Sequence, residues 1–349
     1  MTTLIRKATP ADLLAALPAL IGRDPLGSVV LIGFRGKRTH GVLRFDLPKG
    51  GYKRFTATAV GTFCRIPDVD DVVPVICTDA PAAAHDELMS TLIRRFRQAG
   101  FGVRDALVLG ADGWGSHLDP DRRVHPIAEV EAAATRLDLE PPTPIPDRVP
   151  RADDVSCRRM RDEMAWLRER VDEGDLDELD ALDDVPFLAE NALSGDGAAR
   201  DALLLFALQS APVRDLVMLQ WAFGLELGDA LWSADTCAGI EARKVYADAD
   251  SLAAELMLGR GPAPDTSRID AARRVLTGLI GLAADDDRPA PLCMLAWLTW
   301  ALGRGSEAGA YIDEALAIAP EYSMGHLLDT IFSTGTMPDW VFTSPQTAT

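Results

Sequence analysis

Two aspartates stand where the edge of a sheet could do chemistry. Asp79 follows the apolar run Val72-Val73-Pro74-Val75-Ile76-Cys77-Thr78. Asp112 follows Ala106-Leu107-Val108-Leu109, inside Gly110-Ala111-Asp112-Gly113-Trp114-Gly115-Ser116-His117. Both runs read as buried strands, and the segment at about 81–99 reads as an amphipathic helix with Leu88, Leu92 and Phe96 at fourfold spacing. A strand, a helix and a second strand normally form a right-handed parallel crossover, which brings both C-terminal ends to one edge, where α/β folds place ligands. Two carboxylates there suit a divalent cation or shared acid–base work, with Trp114 as a flat apolar platform beside them. The same residues have a plainer use, because Asp79 lies two residues before Pro81, as a helix cap does, and Asp112-Gly113 is a common turn pair. Asp79, Asp112 and Trp114 thus form the candidate ligand or metal site; no cofactor is predicted, and a divalent cation is one this site could take.

Other chemistry-bearing residues show weaker patterns. Ser116 and His117 are adjacent, but neighbours in a loop seldom face each other, and no G-x-S-x-G elbow surrounds the serine. His40, His85, His125 and His326 lack metal-ligand spacing. Gly100-Phe101-Gly102 precedes a strand, whereas the dinucleotide fingerprint follows one, and no G-x-x-x-x-G-K-[ST] phosphate loop occurs. Asp172 to Asp184 holds Asp175, Asp177, Asp180 and Asp183 but lacks the central glycine and closing glutamate of a calcium loop. With Leu176, Leu179 and Leu182 recurring at threes, it reads as a short helix with a solvated acidic face, a surface that could dock a basic partner. Cys64, Cys77, Cys157, Cys237 and Cys293 form no C-x-x-C pair and read as reduced, packed thiols.

The elements that must position these residues begin at Thr9-Pro10-Ala11-Asp12, a capping hydroxyl with proline at the first helical position and an acid in the first turn. The helix runs to about residue 21, with Pro18 expected to kink it and Gly22 to end it. Ser28–Phe34 and Gly41–Leu47 read as antiparallel strands joined by a polar turn at 35–40, and residues 52–65 as a helix. Pro74 suggests that its strand is an edge or carries a bulge. The expected N-terminal domain, residues 1–140, is therefore an α/β layer with a mixed sheet of about four strands. Residues 141–150, half of them proline, read as a semi-rigid linker. Residues 151–349 read as an all-α domain. Pro212 opens one of its helices, and Asp265-Thr266-Ser267 caps another whose apolar face is Ile269, Val275, Leu276, Leu279 and Ile280.

Charge follows the same division. The 349 residues carry a net charge of −18; counting along the chain, residues 1–150 hold +1 and residues 151–349 hold −19. An acidic surface repels phosphate backbones, which argues against nucleic acid and against anionic membranes as partners. No apolar run is long enough to cross a bilayer, and Met1 to Lys7 lead into a proline-started helix, so a cytoplasmic location is expected. Trp166, Trp221, Trp232, Trp297, Trp300 and Trp340 all fall in the second half, where a core role is expected and an exposed cluster would mark an interface.

Two resemblances emerge. Pro10-Ala11-Asp12-Leu13-Leu14-Ala15-Ala16-Leu17-Pro18-Ala19-Leu20-Ile21-Gly22, then Pro25 and Ser28-Val29-Val30-Leu31, resemble the opening of the actinobacterial domain-of-unknown-function family 4192. Arg44-Phe45-Asp46-Leu47-Pro48 and the tail from Ala290-Pro291-Leu292 are similar to it as well, so the resemblance spans most of the chain except the linker and parts of 150–260. It implies the domain order above and brings no activity or catalytic residue. Pro289 to Tyr322 resembles one tetratricopeptide repeat, with Leu295 and Ala296 on the first helix, Gly303 at the turn, Ala308 and Ala315 on the second helix and Pro320 at the close. It departs from the pattern at Leu292 and Thr299, where tryptophan and tyrosine are usual, while Trp297 and Trp300 lie nearby. Tyr322–Ser333 is then the next, capping helix.

Two functions are consistent with this reading. The first is an interaction or regulatory protein that meets a protein partner through its helical half. The second is a metal-assisted hydrolase or transferase using Asp79 and Asp112; Arg44 and Asp46 on the second strand read as a surface ion pair of little energetic weight.

Overall fold

Thr9 starts the first helix, α1 (Pro10–Ile21), through a capping box: its side chain accepts the Asp12 N–H and Asp12 accepts the Thr9 N–H. Pro18 lies within α1, and Gly22 ends it in the left-handed region at φ 72°. The structure, a computed structural model, describes residues 9–139, 148–174, 182–195, 200–236, 251–333 and 335–343. The Cα trace separates into two compact units, Met1–Ile145 with Phe342–Thr349, and Pro146–Val341. The prolines at 141, 142, 144 and 146, the aspartates Asp175, Asp177 and Asp180, and Cys237 lie outside the described residues.

The first unit is built on a six-stranded mixed sheet. Its strands are β1 (Ser28–Arg35), β2 (Arg38–Asp46), β3 (Asp71–Cys77), β4 (Gly102–Val103), β5 (Leu107–Gly110) and β6 (Gly113–Ser116). The order is β2-β1-β3-β5-β6, with β4 beside β3. β1 runs antiparallel to β2 and β3, β3 runs parallel to β4 and β5, and β6 is antiparallel to β5. The sheet thus has two more strands than the four expected. β4 is only two residues long, and β6 is Gly-Trp-Gly-Ser, whose composition resembles a loop. The turn at 35–40 is also tighter than expected: Arg35 pairs with Arg38, Gly36 takes φ 57°, and a register shift at Gly33/Phe34 absorbs the remainder.

Pro74 lies in a central strand, not at an edge. It pairs with Leu31 of β1, but on its other side the parallel ladder stops at Val72 and resumes at Val75, because β4 ends at Val103 and β5 begins at Leu107. The missing proline N–H is tolerated at this interruption.

Helices cover both faces of the sheet. α2 (Tyr52–Phe63) and α3 (Asp86–Gln98) pack on one, where Phe63, Leu88, Leu92 and Phe96 are fully buried with Val29, Leu31 and Ile76. Phe63, Phe96 and Phe101 meet edge to face at 5.1–6.0 Å between centroids. α1 and α4 (Ala128–Arg136) cover the other face, with Leu14, Leu17, Val30, Ile32 and Trp114 in its core. A short 3-10 turn, Ala82–His85, precedes α3, so that helix begins later than its apolar periodicity suggested.

The second unit is helical throughout its described residues. It comprises α5 (Asp154–Glu173), α6 (Val185–Leu193), α7 (Asp201–Ala207), α8 (Ala211–Phe223), α9 (Leu225–Thr236), α10 (251–257), α11 (Thr266–Leu282), α12 (Pro289–Ala301), α13 (Gly305–Ile318) and α14 (Ser323–Ser333). Asp265 caps α11 through the N–H groups of Ser267 and Arg268, and Ile269, Leu276, Leu279 and Ile280 are buried on its inner face. α12 has no charged residue and is buried along all 13 positions, so it forms the axis of one contiguous core. The indole N–H groups of Trp221, Trp297, Trp300 and Trp340 donate to the carbonyls of Ala189, Met257, Thr336 and Ala301, so four large side chains are buried without an unpaired donor. α12 and α13 pack side by side across a turn where Gly303 takes φ 80°.

A buried ion pair fixes where the chain enters this core. Arg288, just before α12, and Glu314 on α13 are 2.5 Å apart with side chains 4% and 2% exposed. Glu314 accepts the Val149 N–H at 2.9 Å, and Arg288 donates to the Val149 carbonyl at 2.9 Å. Removing one partner leaves a buried charge without its counterpart, at a cost of about 3–5 kcal/mol, whereas replacing both with apolar groups is far milder. Urea unfolding of Glu314→Ala should therefore show a loss of about 3–5 kcal/mol, and adding Arg288→Met should recover a large part of it.

Candidate functional site

The C-terminal ends of β3 and β5 lie at one edge, and backbone hydrogen bonds join the loops that leave them. Thr78 N–H donates to Leu109 O at 3.0 Å, and Ala111 N–H donates to Ala80 O at 3.0 Å. Close packing of these loops requires glycine at position 110, where a Cβ would stand 2.7 Å from Ala82 N and 2.9 Å from Ala80 O. Gly113 and Gly115 serve the other side of β6. At φ 140°, Gly113 admits the His125 carbonyl where a Cβ would collide with it, and a Cβ on Gly115 would lie 2.9 Å from Arg123 O. The Gly-x-x-Gly-x-Gly spacing is thus explained by backbone approach.

Asp112 and Asp79 both sit on this edge, and both are exposed. Asp112 Oδ1 accepts the Ala82 N–H at 2.7 Å, so it caps the 3-10 turn from the neighbouring loop. Asp79, which the sequence offers as the cap, makes no side-chain bond to that turn, whose leading residue is Pro81. Trp114 is 6% exposed and belongs to the core shared with α1; its ring stacks on His125 at 4.4 Å and 18°. It does not present an open platform. Among the described residues no group of three or more His, Cys, Asp or Glu side chains could hold a metal ion. A hard divalent cation takes six or more oxygen ligands, and here one of the two carboxylates already caps a backbone N–H.

The edge also holds a pair that spacing did not single out. Thr78 is 4% exposed, its Oγ1 lies 3.2 Å from His85 Nε2, and it accepts the Ala80 N–H at 3.1 Å. Thr78 Oγ1 and His85 Nε2 share one hydrogen bond, and His85 Nδ1 is buried without a partner among the described residues. Thr78 closes a strand and His85 closes a 3-10 turn seven residues on, so only the turn's geometry joins them.

Ser116 and His117 point to different carboxylates. Ser116 Oγ donates to Asp105, and His117 Nε2 lies 2.7 Å from Asp86 Oδ1, which is also 3.5 Å from Arg122 Nη1. Neither residue serves the other as a nucleophile or base. Buried Cys77 and Cys293 have thiols pushed up to about 12 by desolvation, which makes them inert packing groups at neutral pH. In the helical unit the ionic groups also pair among themselves. Arg268 grips Glu190 through two bonds of 2.7 Å, holding that carboxyl below its usual range, and Arg214 donates to Tyr322 at 2.7 Å and Asp215 at 2.8 Å.

The fold defines a two-part protein, an α/β unit with a mixed sheet followed by a helical unit. The family described as domain of unknown function (DUF4192) matches residues 10–339, and the chain belongs to it. No curated protein and no solved structure matches the chain.

Burial holds His117 below the usual imidazole range, with the Arg122 charge adding to it and Asp86 opposing it. The folded state therefore resists a proton that the unfolded chain accepts near pH 6.5. Its contribution to stability is full above that pH and is lost as pH falls toward the lower folded value. NMR titration should show the His117 imidazole with its midpoint below pH 6.5, and His117→Gln should remove this part of the acid-side loss.

Proposed function

We propose that this protein is an interaction protein that docks a protein partner through its helical unit. The observation that carries this reading is the outer face of α5. Met160, Met164 and Leu167 are buried on its inner side, while Val155 and Trp166 are 67% and 41% exposed, three turns apart and therefore in line. Tryptophan on a helix surface is the residue type most enriched among energetic anchors of interfaces. The net −19 of residues 151–349 favours a partner with a basic rim around that anchor.

We read α12 and α13 as a tetratricopeptide-like hairpin, a reading supported by Ala296, Ala308 and Ala315, which are buried, and by Gly303 at the turn. One hairpin lacks the concave groove of a repeat array, so docking is assigned to α5 instead. A cytoplasmic setting suits the free thiols of Cys64, Cys77, Cys157 and Cys293. The acid surplus disfavours nucleic acid and anionic membrane as partners. In the native host, a photo-crosslinking residue at position 166 should give a discrete adduct that weakens with salt and with Val155→Glu. The absence of an adduct, or the same adduct from a crosslinker at position 97 on α3, counts against the reading.

The second reading is a metal-assisted hydrolase or transferase. It is favoured by the two exposed carboxylates, Asp79 and Asp112, on loops joined at one sheet edge. Calorimetric titration with magnesium, manganese and calcium separates the two. Saturable binding that disappears in Asp79→Ala, Asp112→Ala supports the second reading, and binding that is absent or unchanged removes it.

A further inference from the structure

The helical unit, strongly acidic as a whole, holds a cleft whose lining residues carry more positive than negative charge. The cleft has a volume of about 330 Å³ and is formed by the entering segment 148–151, the approach to α12 and the outer end of α13. Arg148, Arg151 and Arg288 line it against only two carboxylates, Asp285 and Glu314. Each carboxylate already has a guanidinium: Glu314 is paired with Arg288, and Asp285 with Arg151. Arg148 is exposed and has no ion-pair partner among the described residues. One positive charge is thus left over, at the mouth of a cleft with Ile318 and Pro150 as its apolar wall.

We propose that this cleft binds a small-molecule anion whose carboxylate or phosphate head is held by Arg148 and Arg151 above the fixed Arg288. Guanidinium groups match both heads through paired N–H donors. Arg288 is 3% exposed and held by Val149 O and Glu314, so it forms a rigid floor whose charge Glu314 balances, and the surplus charge that attracts the anion is that of Arg148. The volume is at the lower end of the range for small-molecule sites, which limits the ligand to about the size of a benzoate or a phosphorylated fragment. This inference goes beyond the docking reading, since it concerns a different face and a different class of ligand.

The test is isothermal titration of the full chain in low-chloride buffer with inorganic phosphate and, separately, with benzoate. Saturable binding of at least one anion is expected, at least tenfold weaker in Arg148→Gln, Arg151→Gln and in Arg148→Glu alone, and unchanged in Arg97→Gln on α3. The side chains at 148 and 151 are exposed, and matching near-ultraviolet circular dichroism checks that the variants keep their fold. Binding of phosphate alone assigns a phosphate head, and binding of benzoate alone a carboxylate. No saturable binding of either anion, binding retained in the cleft variants, or an equal loss in Arg97→Gln overturns the proposal.

Discussion

The Arg288–Glu314 pair and the Val149 peptide it holds fix the helical unit's geometry. Hydrophobic burial is non-directional, and α12, apolar on every side, has no polar face to set its rotation, so its seating rests on side-chain packing, on the Trp297 and Trp300 indole bonds and on the ion pair at its start. A buried ion pair gains little net energy, since desolvating two charges offsets much of their attraction. Its effect is selective instead, because any other seating of the helices strands a charge. Glu314 comes from α13, Arg288 from the start of α12 and Val149 from the entering strand of chain, so one contact aligns three segments. The flanking bonds extend this alignment: Ala152 N–H reaches Gly281 O at 2.9 Å, and Arg151 reaches Ala283 O at 3.2 Å. Arg268 with Glu190, and Arg214 with Tyr322 and Asp215, join other segments of the bundle at more exposed positions.

In the α/β unit the comparable constraint lies in the backbone. Gly110, Gly113 and Gly115 let three stretches of chain approach more closely than side chains allow, and Asp112 caps the turn that leads into α3. Residues that resemble a ligand loop in sequence therefore shape the end of the sheet. What remains open at that edge is the exposed Asp79 and the half-buried Thr78–His85 pair.

Legibility followed the range of the forces involved. β1, β2, β3, α1 and the inner face of α3 were readable because apolar periodicity and caps are local, as Thr9 and Asp12 show. β6 was not, since its strand character comes from pairing with β5 and with His125 across a glycine-rich stretch of low intrinsic preference. The position of Pro74 in the centre of the sheet depends on a gap between β4 and β5 that no local pattern announces. Of the candidate site, the shared edge of Asp79 and Asp112 followed from the crossover rule. The burial of Trp114 and the cap made by Asp112 depend on partners from distant elements. The hold of the ion pair on the entering chain was the least legible feature: 165 residues separate Val149 from Glu314.

Native-state hydrogen exchange at the Val149 amide tests the central claim most directly. If Glu314 and Arg288 seat the entering chain, that amide exchanges only through global opening of the helical unit, with protection equal to that of the α12 amides. Exchange at the rate of a frayed segment, while α12 stays protected, would contradict it.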